Sequence, residues 1–355
     1  MTEPRRKHVF IAEREHGLPY SKGLTASSLM ATGLPPMRAY TVANKVEKEL
    51  FELGQERISR EKLRELTLRV IRDEEGDEYA EAFIKWQSVG ELDVPLIVLL
   101  GGSTGVGKST IATQLAYRLG ITRVVSTDAV REVLRSALTE EMFPTLYSSS
   151  FESDKAVRQP IPHSGDKLII GFREQAQAVA VGAQRLIDRA ITEGTDMILE
   201  GAHLVPGFLE SIESDQAVIV PLLITIEDED LHKSHFYRRG RDASARPQDR
   251  YLQAFKKIRK IQKYMTNSAL MRGVPVIQHY DLDATLSQVI DHVIEKALES
   301  VQRGAHIQGA DPDLLERAGE AVGKSRSTNG AKHPSADKKK DKEKEQGEDA
   351  IEVVP

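Results

Sequence analysis

The chain has 355 residues, of which 40% are hydrophobic and 29% charged, with a formal net charge of −5. That length accommodates two domains or one large one, and the small negative charge gives no reason to expect nucleic acid or a membrane as partner. There is no cysteine, which excludes a disulfide framework and a thiolate metal site and fits a reducing, cytoplasmic setting.

The start, MTEPRRKHVFIAEREHG, is basic but lacks the apolar core of a signal peptide. The longest apolar runs, at 95–100 and 217–224, are far too short to span a bilayer. Residues 1–92 read as one block. Val9–Ala12 has the character of a short strand, Glu15–Gly17 of a turn, and Pro19–Lys22 of the start of a second strand. Val42, Val46, Leu50 and Leu53 recur at helical spacing. Ser59 suits the N-cap of a helix through Ile71, with Leu63, Leu66 and Val70 inward. An acidic turn at Asp73–Asp77, a helix over Glu78–Lys85 and the single Trp86 complete the block.

Residues 93–305 alternate strand-like and helical patterns. Strands are predicted at Leu96–Leu100, Thr122–Ser126, Met197–Glu200, Ala217–Ile226 and Pro275–Gln278. Helices are predicted at Ser109–Leu119, Ala129–Leu138, Leu168–Glu193, Asp249–Ser268 and Leu286–Ser300. This alternation predicts an α/β three-layer fold, a parallel sheet with helices on both faces. Residues 306–355 form a charged segment, and from about Ser325 onward it reads as a solvated, disordered tail.

The first strand runs into GGSTGVGKST at 101–110, where Gly102 to Ser109 match G-x-x-x-x-G-K-[ST]. Glycines let backbone N–H groups curl around phosphate oxygens, and the helix that opens at about Lys108 adds its positive end. The expected nucleotide-binding residues are Gly102, Ser103, Thr104, Gly105, Val106, Gly107, Lys108, Ser109 and Thr110. Lys108 is placed to bridge the outer phosphates of ATP, and the Ser109 hydroxyl to take a Mg²⁺ position.

Ligands of open α/β sheets bind at the carboxyl ends of strands, so the later strand ends are the next candidates. The second ends in Ser126-Thr-Asp128, with Arg131 and Arg135 following one turn apart. Asp128 suits alignment of an acceptor hydroxyl, although Asp in this place also serves as a helix N-cap. Arg131 and Arg135 suit an anionic acceptor. The third strand ends in Glu200-Gly-Ala-His203, which makes Glu200 a second metal candidate and His203 either a donor to the acceptor or a structural histidine. Arg238, Arg239, Arg241 and Arg246, broken by Gly240 and bounded by Pro247, read as a lid over the phosphates or as a solvated basic loop. The long segment Thr145–Gly165, with Arg158 and His163 in it and Lys167 just beyond, is expected to enclose the acceptor, with Arg158 contacting it.

Together GGSTGVGKST, STDAVR at 126–131 and ILEGAHLVPG at 198–207 resemble the 2-phosphoglycerate kinase family, over about residues 94 to 300. The resemblance implies a P-loop kinase that passes a phosphoryl group from ATP to the free hydroxyl of 2-phosphoglycerate. The product would be 2,3-bisphosphoglycerate, in some methanogenic archaea a precursor of cyclic 2,3-diphosphoglycerate. Residues 1–92 resemble an ATP-cone, a small nucleotide-binding domain, which would make Lys7, Arg14, Lys22 and Arg38 phosphate-binding candidates and add a second, regulatory site. A kinase of another small anionic acceptor, such as a sugar acid or nucleotide sugar, and a non-catalytic ATP sensor remain open. A nucleic-acid acceptor is not expected, because no basic surface with aromatic platforms stands out.

Overall fold

The computed structural model describes residues 9–12, 18–89, 94–158, 160–161, 165–209, 216–242 and 248–302, the side chains of 12, 88, 89, 238–242, 248, 301 and 302 excepted. Strand β1 (Phe10–Ala12) lies between antiparallel β2 (Leu18–Pro19) and a parallel third strand. The segment Pro19–Lys22, read above as strand, leaves the sheet after Pro19. The Ser21 hydroxyl accepts from the Leu24 N–H at 3.4 Å and starts helix α1 (Lys22–Ala31). Helix α2 (Pro36–Glu52) follows, then β3 (Arg57–Ser59), α3 (Arg60–Glu75) and α4 (Asp77–Val89). The acidic stretch 73–77 is mostly helix, interrupted at Gly76 alone. Val42, Val46, Leu50, Leu66 and Val70 are buried together, as their spacing predicts, whereas Leu53 lies past the end of α2 and is exposed.

The second sheet is built from β4 (Leu96–Gly101), β5 (Val124–Ser126), β6 (Met197–Gly201), β7 (Val218–Thr225) and β8 (Val276–Gln278). Its order is β5-β6-β4-β7-β8, and every described pairing in it is parallel. Between and after these strands run α5 (Lys108–Leu119), α6 (Thr127–Ala137), α7 (Lys167–Glu193), α8 (Glu229–Asp242), α9 (Gln248–Gln253), α10 (Phe255–Met271) and α11 (Leu282–Gln302). The helical pattern at 249–268 is broken at Ala254 into α9 and α10. The segment after α6 contains two 3-10 turns, Pro144–Tyr147 and Ser150–Lys155.

Central β4 is buried on both faces, which is why it reads as an unbroken apolar run. Val98 and Leu100 pack with Ile111 and Leu115 of α5 and Ile290 of α11. Ile97 and Leu99 pack on the other side with Ala183 and Ile187 of α7. The result is the expected three-layer α/β fold. Helix α1 contacts α5, α4 contacts α11, and Trp86 packs against the core of the larger sheet.

Register decides where the chemistry falls. Leu100 pairs with Glu200, and Glu200 with Ser126. The carboxyl ends of β4, β5 and β6 are therefore level, and the loop after β4, the start of α6 and Glu200 meet at one edge of the sheet.

Candidate active site

The glycine loop turns from β4 into α5 with Gly107 in left-handed conformation (φ 89°) as the residue before the helix. Gly105 is held more tightly: its φ is 89°, and a Cβ there would lie 2.4 Å from the Phe236 ring. The Lys108 side chain is buried, and its ammonium donates to the Ser103 carbonyl at 2.8 Å. A cavity of about 460 Å³ opens over the loop, lined by Gly105, Gly107, Lys108, Ser109, Asp128 and Glu200 among others. Two histidines of α8 brace this loop. Nε2 of His232 donates to the Thr104 carbonyl and Nδ1 of His235 to the Gly105 carbonyl, each at 2.9 Å. Burial holds the His232 pKa down at about 4, so it is neutral near pH 7.

The Ser109 hydroxyl donates to Glu200 Oε1 at 2.9 Å. Both side chains line the cavity beside Lys108. A hydroxyl and a carboxylate are hard oxygen donors of the kind Mg²⁺ takes, so this pair fits the ion. Among the described residues no three His, Asp or Glu side chains converge on one point.

Asp128 lines the same cavity from the first turn of α6. It is not the helix cap, since Ser126 fills that role by accepting from the Ala129 N–H at 3.1 Å. His203 departs from the donor expectation. It is 1% exposed, does not line the cavity, and has both ring nitrogens engaged. Nε2 donates to Gln175 Oε1 at 3.2 Å, and Nδ1 accepts from the Thr127 hydroxyl at 2.9 Å. Burial lowers its pKa to about 4, so the ring is neutral. Gln175 in turn donates to the Ser148 carbonyl at 2.9 Å. The histidine thus ties the end of β6 to α6 and to the segment after it. Gly201 is needed for this contact, because a Cβ there would lie 1.7 Å from Thr127 Oγ1.

Arg131 and Arg135 point from α6 into a second cavity, of about 370 Å³. The Arg131 guanidinium donates to the Ser148 carbonyl at 3.1 Å, and Arg135 stacks on the Tyr147 ring at 4.6 Å. Arg158 lies outside both cavities, its exposed guanidinium donating to the Glu141 carbonyl at 2.8 Å. In this conformation it serves the backbone of its own segment, which departs from the expected acceptor contact. Arg238, Arg239 and Arg241 fall in the last turns of α8. Their side chains, and the whole of Arg246, His163, Lys7 and Arg14, lie outside the described residues. Lys22 pairs with Glu47 at 3.3 Å, and Arg38 pairs with Glu75 and stacks on Tyr79 at 5.5 Å.

The bracing histidines were not singled out in the sequence. Their only linear signal is the spacing of His232 and His235, one turn apart just ahead of the arginines.

Curated relatives decide the family. The chain is 36% identical over 296 residues to the 2-phosphoglycerate kinase of Methanothermobacter thermautotrophicus, covering 83% of this chain and 96% of that one. It is 37% identical to that of Methanopyrus kandleri, over 83% of this chain and 90% of that one, and 38% identical to that of Pyrococcus horikoshii, over 84% and 95%. The chain belongs to the 2-phosphoglycerate kinase family. At 296 residues the match is longer than the stretch from about 94 to 300 that carries the motifs, so the likeness to 2-phosphoglycerate kinases extends beyond it. No family model matches the chain. Among solved structures, a shikimate kinase from Acinetobacter baumannii aligns over 60% of this chain and 97% of that one, at 15% identity and a TM-score of 0.34. As a member of the 2-phosphoglycerate kinase family the protein is a nucleotide-dependent phosphotransferase acting on an alcohol group of a small acceptor. No described helix is long and apolar enough to cross a membrane.

Proposed function

We propose that the protein transfers the γ-phosphoryl group of ATP to the free hydroxyl of 2-phosphoglycerate, giving ADP and 2,3-bisphosphoglycerate. The observation that carries this reading is the meeting of Lys108, Ser109, Glu200 and Asp128 on one cavity, in a chain of this family. The acceptor oxygen forms a bond to the γ-phosphorus as the bond to the β,γ-bridging oxygen breaks. The hydroxyl proton passes to Asp128, whose main task is alignment, because little charge develops on the attacking oxygen in a loose transition state. Lys108 exchanges the Ser103 carbonyl for phosphate oxygens, so the loop is held in shape until nucleotide arrives. Ser109 and Glu200 would hold Mg²⁺, which when bound neutralises charge on the β- and γ-phosphates. The arginines at 238, 239 and 241, which follow the two loop-bracing histidines on the same helix, would close over the phosphates and exclude water. Residues 1–92 would form a separate nucleotide-binding, regulatory unit of ATP-cone type.

The test is ADP release from Mg-ATP with 2-phosphoglycerate, 3-phosphoglycerate, glycerate, gluconate and a nucleotide sugar offered in turn. Stimulation by 2-phosphoglycerate with a bisphosphorylated product is expected. Stimulation by another acceptor alone would transfer the site to that acceptor, and stimulation by none would overturn the reading.

A further inference from the structure

The geometry points to the second cavity as the seat of the acceptor's own phosphate group, with Lys155 and Arg250 as its specificity-determining residues. Neither residue stands in any motif of the chain. The inference rests on the kinase reading above for the hydroxyl that reacts, and adds what holds the other end of the acceptor.

Four cationic side chains, Arg131, Arg135, Lys155 and Arg250, line this cavity against the single carboxylate of Glu152. They arrive from three places: α6, the 3-10 turn Ser150–Lys155, and α9. Arg250 donates to the Ser149 hydroxyl at 2.7 Å and, through Nε, to Glu152 at 3.1 Å. Lys155 donates to the other oxygen of Glu152 at 2.7 Å. The Nε atoms of Arg131 and Arg135 are buried with no hydrogen-bond partner among the described residues. Lys155 and Arg250, by bonding its carboxylate, hold the Glu152 pKa below the usual carboxylate range. Outside the lining, Glu132 bonds Arg135 at 2.8 Å and lies 3.6 Å from Arg131, and Asp128 lies 3.8 Å from Arg131. These cations thus face three carboxylates and the cavity keeps a net positive charge, with Glu152 the one anion in its lining. A phosphate monoester offers three acceptor oxygens and close to two negative charges, which complement such a fork of guanidinium and ammonium donors.

Position favours the acceptor over the nucleotide. Asp128 lines the first cavity and Arg131, one helical turn on, lines the second. Ser150 lines the first and Ser149 the second. The two cavities thus share a wall one residue thick on one side and one helical turn thick on the other. A small acceptor anchored by its phosphate in the second cavity has its hydroxyl carried toward Asp128 and the nucleotide. Glu152 occupies Lys155 and Arg250 when no acceptor is bound and keeps these two donors oriented. Phosphate binding draws Lys155 and Arg250 partly away from it.

The experiment uses the full chain, with 2-phosphoglycerate, inorganic phosphate and glycerate titrated calorimetrically and then used as acceptors or inhibitors. Wild type should bind 2-phosphoglycerate at least about tenfold more tightly than glycerate. Arg250→Gln and Lys155→Gln should each raise the KM and Kd for 2-phosphoglycerate about ten- to a hundredfold, as expected for loss of a bond to a charged group, and leave glycerate binding and the KM for ATP unchanged. Both side chains are more than half exposed, so these variants are expected to fold. Glu152→Gln should act in the opposite direction, tightening phosphate binding, most at low salt. The inference is overturned if wild type does not distinguish phosphorylated from unphosphorylated acceptor. It is also overturned if the lysine and arginine variants keep that discrimination, or if Glu152→Gln weakens binding as they do, since the cluster would then be only a clasp between two segments. Turnover of another phosphorylated acceptor, with the same response to the variants, would remove 2-phosphoglycerate as substrate and leave this site standing.

Discussion

The Ser109 hydroxyl donates to Glu200 Oε1 across 2.9 Å, and so joins the loop after β4 to the end of the neighbouring strand β6. The contact depends on register: Leu100 lies beside Glu200, so the loop starts level with the carboxylate. Glu200→Gln keeps the shape and the hydrogen bond but removes the charge. The expected result is a ten- to hundredfold rise in the Mg²⁺ concentration needed for half-maximal turnover. Fold and nucleotide affinity without metal should be little changed. A Mg²⁺ titration of initial rates, with the melting temperature as control, checks this. An unchanged Mg²⁺ requirement would remove Glu200 from the metal.

Asp128 stands on the same cavity without being needed to cap its helix, because Ser126 does that. Asp128→Asn should therefore cost activity and not stability. Turnover is expected to fall about a hundred- to ten-thousandfold, the range for a positioned group that takes a proton, with the KM for ATP nearly constant. Steady-state kinetics at saturating acceptor read this directly. A rise in the KM for ATP with normal turnover would move Asp128 to nucleotide binding.

Two buried imidazoles make a prediction about pH. Burial places the pKa of both His203 and His232 at about 4 in the fold. In the unfolded chain an ordinary histidine titrates near 6.5. Between these values the unfolded state binds more protons, so stability falls as pH falls. The stabilisation is complete above about pH 6.5 and is lost progressively toward pH 4, each ring contributing up to about 1.4 kcal/mol per pH unit. Urea unfolding at a series of pH values measures the slope. His203→Asn should flatten it by about half. It should also destabilise the fold by about 1–3 kcal/mol, because Thr127 and Gln175 lose a buried partner.

The same residues show which parts of the site a linear reading reaches. The phosphate loop is contiguous, so its pattern and the apolar strand before it were legible together. Glu200 was legible because a carboxylate closing an apolar run has few structural uses. Asp128 follows the strand end by two residues and lies in the first turn of α6, where Ser126 and Asp128 both suit a cap and only the Ser126 bond to the Ala129 N–H separates their roles. His203 follows Glu200 so closely that proximity made it a candidate, yet the chain has left β6 after Gly201 and this side chain turns inward to Gln175, 28 residues away. Lys155 falls in the segment expected to enclose the acceptor but, like Arg250, carries no motif of its own, since one comes from a 3-10 turn and the other from a short helix about a hundred residues later. Their convergence is a property of tertiary packing alone. Within the larger sheet, strand boundaries fell within two residues of the predicted ones because β4, β6 and β7 are buried almost throughout and so almost uniformly apolar.

Gly105 tests whether the loop's shape is set by the backbone or by what packs on it. Another glycine of positive φ makes the comparison possible. Gly120 ends α5 at φ 68° and has nothing within 4 Å of an added Cβ. Gly120→Ala therefore carries only the conformational cost of a left-handed residue, about 1–2 kcal/mol, and should leave ATP binding intact. Gly105→Ala carries the same cost and also drives a methyl into the Phe236 ring, 2.4 Å away, and against His232 Nε2 at 3.1 Å. Phe236 is fully buried and stacked on Tyr251, with centroids 5.2 Å apart, so it has little room to retreat. The clash is expected to be relieved by shifting the loop or α8, adding about 1–3 kcal/mol to the loss of stability. Because His232 and His235 hold the Thr104 and Gly105 carbonyls, movement of α8 also misplaces the N–H groups that face phosphate. ATP affinity should then fall at least tenfold in Gly105→Ala and not at all in Gly120→Ala, as measured by calorimetry on the two variants side by side. Equal affinities would show that the packing of α8 on the loop does not shape the nucleotide site.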